Sequence, residues 1–162
     1  MDKLAKAMDE YQKQLQKGEI QKAYRGILNF LNELKTHLGK KHPEYFVSAL
    51  YQGYMDMSYF ALASATMRQQ GLKIALVYLH TERRFEAWLS GSNKRIQREY
   101  IERLRGKNLG ALKLSSPEPG VDSIVEVVLA EVPDFGHMEE LQIELTAAVE
   151  QFISGISAIL AE

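Results

Sequence analysis

The stretch "KIALVYLHTERRFEAWLSGSNKRIQREY", residues 73–100, decides the fold. It reads as two β-strands near 73–79 and 84–89, a tight glycine turn, and a helix opening at Asn93. With Thr81 and Glu82 at the tip, Tyr78 faces Phe85, Leu76 faces Ala87 and Ile74 faces Leu89. That is an apolar face for helices to cover. The opposite face pairs Val77 with Glu86 and Ala75 with Trp88. The turn "HTER" lacks the Gly or Asn that a primed two-residue turn prefers.

Outward from this hairpin the pattern stays simple. "SIVEVVLAEV", residues 123–132, is dense in β-branched residues and reads as a buried strand that Pro133 ends. An earlier strand is predicted over 54–62, with Met55, Met57 and Tyr59 on one side and Tyr54, Asp56, Ser58 and Phe60 on the other. Leu4, Met8, Tyr11 and Leu15 make one stripe of a first helix over 2–16. A second helix from Glu19 carries Ile27, Leu31, Leu34 and Leu38, and Gly39 is expected to stop it. Both are read as packing elements. Residues 93–105 form a helix with Asn93 as N-cap, 106–120 a loop, and 137–160 a last helix striped by Leu141, Leu145, Phe152 and Ile156.

The order ααβββαβα predicts one α/β (α+β) domain over 1–162: a helical pair over 1–43, a short, mostly antiparallel sheet of about four strands over 54–132, and a C-terminal helix. A chain of 162 residues needs no staple. It has no cysteine, which removes disulfides, thiolate nucleophiles and Cys-zinc sites and suits a reducing cytosol. The charged start does not read as a signal peptide, no apolar run reads as a membrane span, and a cytoplasmic location is expected.

The net charge of −1 hides a segregation. Residues 83–107 hold eight bases and three acids, whereas 114–162 hold ten acids and no Lys or Arg. Either a basic patch faces a polyanion such as nucleic acid, or the acidic C-terminal element packs beside the basic helix. The four histidines sit at a helix end, a loop, a turn and a helix start, with no G-x-S-x-G, H-E-x-x-H or phosphate-loop motif.

Asp56 and Glu86 stand out as carboxylates on apolar strands, where each must pair, hydrogen-bond or bind a cation. Together they would suit Mg²⁺. The alternative pairs Glu86 with Lys94 or Arg84. Lys94 and Arg95 open the third helix, where negative charge is favoured, so an anion or Glu86 itself would make sense there. Trp88, the lone tryptophan, neighbours Glu86 by alternation. Asn93, Gln97 and Tyr100 follow at spacings of four and three.

The stretches "GEIQKAYRGI", "YFVSALYQGYMDMSYF", residues 72–100, "GVDSIVE" and "PDF" resemble an uncharacterised bacterial family of small single-domain proteins, a domain of unknown function. The element order also resembles the PD-(D/E)XK, restriction-endonuclease-like core. That resemblance implies Glu86 as the third-strand acid and Gln97 with Tyr100 as its helix pair. Trp88 occupies the family's lysine position and residues 73–79 offer no acid, so Asp56 or Lys94 would substitute. It implies an Mg-dependent nuclease with Asp56, Glu86 and Lys94 as catalytic candidates, or an inactive nucleic-acid-binding relative. The residues themselves favour a non-catalytic ligand-binding or protein-interaction module with no membrane role, its site at Trp88, Asn93, Lys94, Gln97 and Tyr100. Its partner would be an anionic ligand or another protein, including a second copy through the last helix.

Overall fold

A computed structural model describes residues 2–161. The elements are α1 (Lys3–Lys17), α2 (Glu19–Lys41), β1 (Phe46–Val47), β2 (Met57–Ala63), α3 (Ala65–Gln69), β3 (Leu72–Leu79), β4 (Arg84–Gly91), α4 (Lys94–Leu104), β5 (Lys113–Leu114), β6 (Ser123–Glu131) and α5 (Met138–Ala161). The fold is α+β, built on one open antiparallel sheet in the order β1-β2-β3-β4-β6-β5.

The β3–β4 register is the one the alternation predicts, Tyr78 opposite Phe85 through Ile74 opposite Leu89. No glycine sits in the turn because Arg83 takes the left-handed conformation itself, at φ 54°. That costs an L-residue about 1 kcal/mol, and the long β3–β4 pairing offsets it.

The helices pack on the face that carries Phe60, Leu76 and Phe85. Phe30, Leu31, Leu34 and Leu38 of α2 meet it together with Leu141, Leu145 and Val149 of α5. Further along, Ile101 and Leu104 of α4 and Phe152 and Ile156 of α5 cover Ile74, Ala87, Leu89 and Val125. Removing such side chains from water drives the assembly, at about 1.5–3 kcal/mol for each large one. The opposite face carries Tyr59, Lys73, Val77, Glu86 and Trp88 and stays open at its centre.

The structure corrects several expectations. The sheet has six strands rather than about four, because β1 and β5 are two-residue edge strands with no periodicity to read. Asp56 lies in a bend before β2, not on a strand. Gly39 does not end α2, which runs to Lys41; a single helical glycine costs only about 1 kcal/mol, and packing of the flanking turns outweighs it. The α1 stripe forms but is not a core element, since none of the helix's residues is buried. By length and composition α5 is apolar enough to cross a membrane, contrary to the reading of the sequence. Here its stripe is the one that covers the sheet.

Two glycines set α4 against the sheet. A Cβ on Gly71, at φ +72°, would stand 2.5 Å from Ile96 Cδ1, and one on Gly91 would stand 3.0 Å from the Gln97 amide nitrogen. At Gly71 the contact is with the far end of a flexible side chain, which can swing aside, so the positive φ is what favours glycine there; at Gly91 the contact is with the backbone of α4, which would have to give by a few tenths of an ångström. Asn93 then caps the helix, its Oδ1 accepting from the Ile96 N–H at 2.9 Å.

Candidate functional site

Glu86 is 3% exposed in the middle of β4. Its charge is answered by the neighbour two residues before it: Arg84 Nε donates to Oε2 at 2.5 Å. The other oxygen accepts from the Trp88 indole N–H at 2.8 Å. Alternation puts all three side chains on the open face. The carboxylate bond raises the Arg84 guanidinium's already high pKa. Glu86 therefore pairs with Arg84, one of the two bases proposed from the sequence, and not with Lys94.

This arrangement fixes the indole. Its one polar atom is tied down, so the ring can turn about neither side-chain bond without breaking a charge-assisted hydrogen bond. Trp88 then forms one wall of a hollow of about 290 Å³, whose lining also includes Tyr59, Lys73, Val77, Asn93 and Lys94. Four of the five residues expected to bind, Trp88, Asn93, Lys94 and Gln97, line it together.

Their roles differ. Asn93 caps α4. Lys94 Nζ donates to the Val121 carbonyl and, at 3.2 Å, to that of Glu118, and lies 3.7 Å from the Asp122 carboxylate. It staples the loop before β6, and Asp122, which also lines the hollow, answers its charge at the rim. Gln97 is 1% exposed, and its amide donates to the Val121 and Ser123 carbonyls at 2.8 and 2.9 Å. Its Oε1 has no partner. Tyr100 does not join them: it packs against the core beside Ile101, with the Arg103 guanidinium 5.5 Å from its ring centre.

The residue that sequence reasoning missed is Lys73. It opposes Ser90 on β4 and is exposed on a central strand. Among the described residues it has no carboxylate partner. Trp88 opposes Ala75, so Lys73 is its diagonal neighbour, about 7 Å away at Cβ. The legible signal was a lone cation interrupting the apolar alternation of a central strand.

Asp56 and Glu86 do not form a common metal site. Tyr59, Val77 and Glu86 are level across three strands. Asp56 lies three residues beyond Tyr59 and two strands from Glu86, roughly 14 Å away at Cα by sheet spacing. Asp56 accepts instead from the Tyr54 N–H at 2.9 Å. Backbone bonds to Tyr54, then Met57, hold its carboxyl below the usual range. No group of three or more Asp, Glu or His among the described residues is arranged to hold a metal.

Near Asp56 a serine and a histidine do meet: Ser58 Oγ lies 2.8 Å from His80 Nε2 and donates to the Gln52 carbonyl at 2.5 Å. The hydroxyl proton is engaged with a carbonyl and Ser58 is fully buried. The pair ties β2 to the turn after β3 and, through Gln52, to the loop before β2, and is not an activated nucleophile. Burial lowers the His80 pKa, and nearby Asp56 partly opposes this.

The basic segment is largely turned on local partners. Arg95 pairs with Glu99 at 2.8 Å and Arg105 with Glu102 at 3.0 Å. Arg103 donates to the Leu160 carbonyl at 2.8 Å, where the last turn of α5 favours positive charge.

An open antiparallel sheet with helices on one face and a hollow lined by Trp88, Lys73, Lys94 and Asp122 on the other defines an α+β domain. The sequence matches, over residues 4–160, the family model described as a domain of unknown function, DUF7000, and the chain belongs to that family. No curated protein and no solved structure matches it.

Proposed function

We propose that the open sheet face is a ligand site and that the chain is a non-catalytic binding module for a small planar anion. The observation that carries this is the pairing of a fixed indole with an uncompensated lysine. Trp88 is held by Glu86, and Lys73 stands beside it without an acid partner. A ring stacked on Trp88 gains about 0.5–1.5 kcal/mol beyond its buried area, and an anionic substituent completes the charge balance at Lys73. The α4 N-terminus adds positive potential at the same rim, where Lys94 is paired with Asp122. Ala75 and Val77 form an apolar floor, as small-molecule sites commonly have. Both Glu86 oxygens are engaged, and the carboxylate on the lining, Asp122, stands 3.7 Å from Lys94 at the rim.

Trp88 is the only tryptophan, so its emission reports the site alone. Titration with nicotinate, a planar heteroaromatic monoanion, should change that emission saturably. Lys73→Ala should weaken the binding about tenfold, the worth of one charge-assisted contact. Equal affinity in the two proteins would sink the reading.

A further inference from the structure

We infer that the hollow beside Trp88 continues across Lys73 into a second one, and that the two form a single trough for an aromatic phosphate of mononucleotide size. The ring lies on Trp88 and the phosphate between Lys73 and Arg68. This deepens the proposed binding function and rests on it.

The second hollow has a volume of about 510 Å³ and shares Lys73 and Ser92 with the first. Its lining includes Arg68 and Lys73 and no carboxylate. The Arg68 guanidinium lies over the Phe46 ring, 4.0 Å from its centre, and has no acid partner among the described residues. Stacking on Phe46 leaves the guanidinium edge, with its forked N–H donors, free to meet oxygen.

Two cations from different elements therefore converge on one hollow without counter-charge. A carboxylate neutralises one of them; a phosphate dianion neutralises both and presents enough oxygens to reach both. Arg68 is held in place through α3, which Ser64 caps by accepting from the Met67 N–H at 3.1 Å and which Met67 anchors in the core. The distance logic selects the spacer. Lys73 is a diagonal neighbour of Trp88, about 7 Å off, and Arg68 lines the hollow on its far side, which leaves room between ring and phosphate for a spacer such as a pentose. Together the hollows fall in the range that ligand sites of this size occupy.

The test compares four probes by Trp88 emission and calorimetry: adenosine 5′-monophosphate, adenosine, inorganic phosphate and nicotinate. The expected result is that the monophosphate binds at least tenfold tighter than adenosine. Arg68→Ala and Lys73→Ala should each remove most of that gap, and Arg68→Ala should leave adenosine unchanged. Both side chains are exposed, and an unaltered melting temperature checks that each variant folds; Arg68→Gln serves if Arg68→Ala does not. Three outcomes overturn the trough: equal affinity for monophosphate and adenosine, an Arg68 variant with wild-type affinity, or inorganic phosphate competing as well as the nucleotide. If nicotinate still binds in any of these, the platform at Trp88 stands without the trough. If no probe alters Trp88 emission or releases heat, the binding function falls and the trough with it.

Discussion

The Trp88 indole N–H donates to Glu86 Oε1 at 2.8 Å, and the other oxygen of the same carboxylate accepts from Arg84. One buried acid thereby converts a strand tryptophan into a fixed wall. A carboxylate with both oxygens engaged has little left for a cation, which takes carboxylate oxygen directly at short range.

Magnesium is the first check. Millimolar Mg²⁺ or Mn²⁺ should leave the wild-type melting temperature unchanged, since only a ligand that binds the native state raises it. A rise present in the wild type and absent in Glu86→Ala would show that Glu86 binds metal after all.

Glu86→Ala should destabilise the protein by about 1–3 kcal/mol, because it leaves the indole N–H and the Arg84 guanidinium without their acceptor. Glu86→Gln keeps an acceptor for the indole and should recover part of the loss. Urea unfolding measures both. In Glu86→Ala the Trp88 emission anisotropy should also fall as the ring gains freedom.

His80 sets a pH dependence. Its folded pKa lies below the unfolded value because burial disfavours the imidazolium. The unfolded chain therefore binds the proton more readily, and stability rises with pH where the two states differ. The contribution is complete above the unfolded value of about 6.5 and is lost as pH falls through the lower folded one. The groups facing the ring are Ser58, Tyr24, Tyr78 and Asp56, and of these Asp56 opposes the shift. Unfolding free energy should drop between pH 7 and pH 5, and His80→Gln should flatten that slope. The Asp56 carboxyl, held low, loses its contribution only in more acid solution.

Gly71 and Gly18 separate strain from clash. Both have positive φ, but a Cβ at Gly18 meets nothing within 4 Å, whereas one at Gly71 meets Ile96. Gly18→Ala should cost about 1 kcal/mol, the left-handed penalty alone. Gly71→Ala should cost that plus about 1 kcal/mol for turning the Ile96 side chain out of its rotamer. Equal losses would mean that Ile96 gives way freely.

The β3–β4 hairpin was legible, and its register follows once Thr81 and Glu82 are taken as the tip, because that pairing sets Tyr78, Leu76 and Ile74 beside Phe85, Ala87 and Leu89 on one face. The sequence also carried most of the site, because Glu86 and Trp88 share a face by parity and Gly91-Ser-Asn93 marks where the next helix must start. It did not carry β1, α3 or β5, each too short to show a period. Nor did it carry the fate of the α1 stripe: Leu4, Met8 and Tyr11 have helical spacing, but spacing says nothing about what covers them, and they are exposed. The place of Asp56 was not legible because the apolar and aromatic pattern runs on past Met57 to Tyr54, although the backbone bends there and Met55 takes positive φ. Lys73 was passed over because one cation at a strand end looks like solvated surface until the neighbouring strands show that it stands in mid-sheet with no acid opposite.

The central claim is that a fixed Trp88 and a free Lys73 together bind a planar anion. The most direct test is the ¹⁵N–¹H spectrum, in which the single tryptophan gives one indole cross-peak. The account predicts that this peak moves saturably as nicotinate is added to the wild type and moves far less in Lys73→Ala at the same concentrations. An indole peak that stays fixed in the wild type up to tens of millimolar, on the order of the weakest specific affinities, would contradict it.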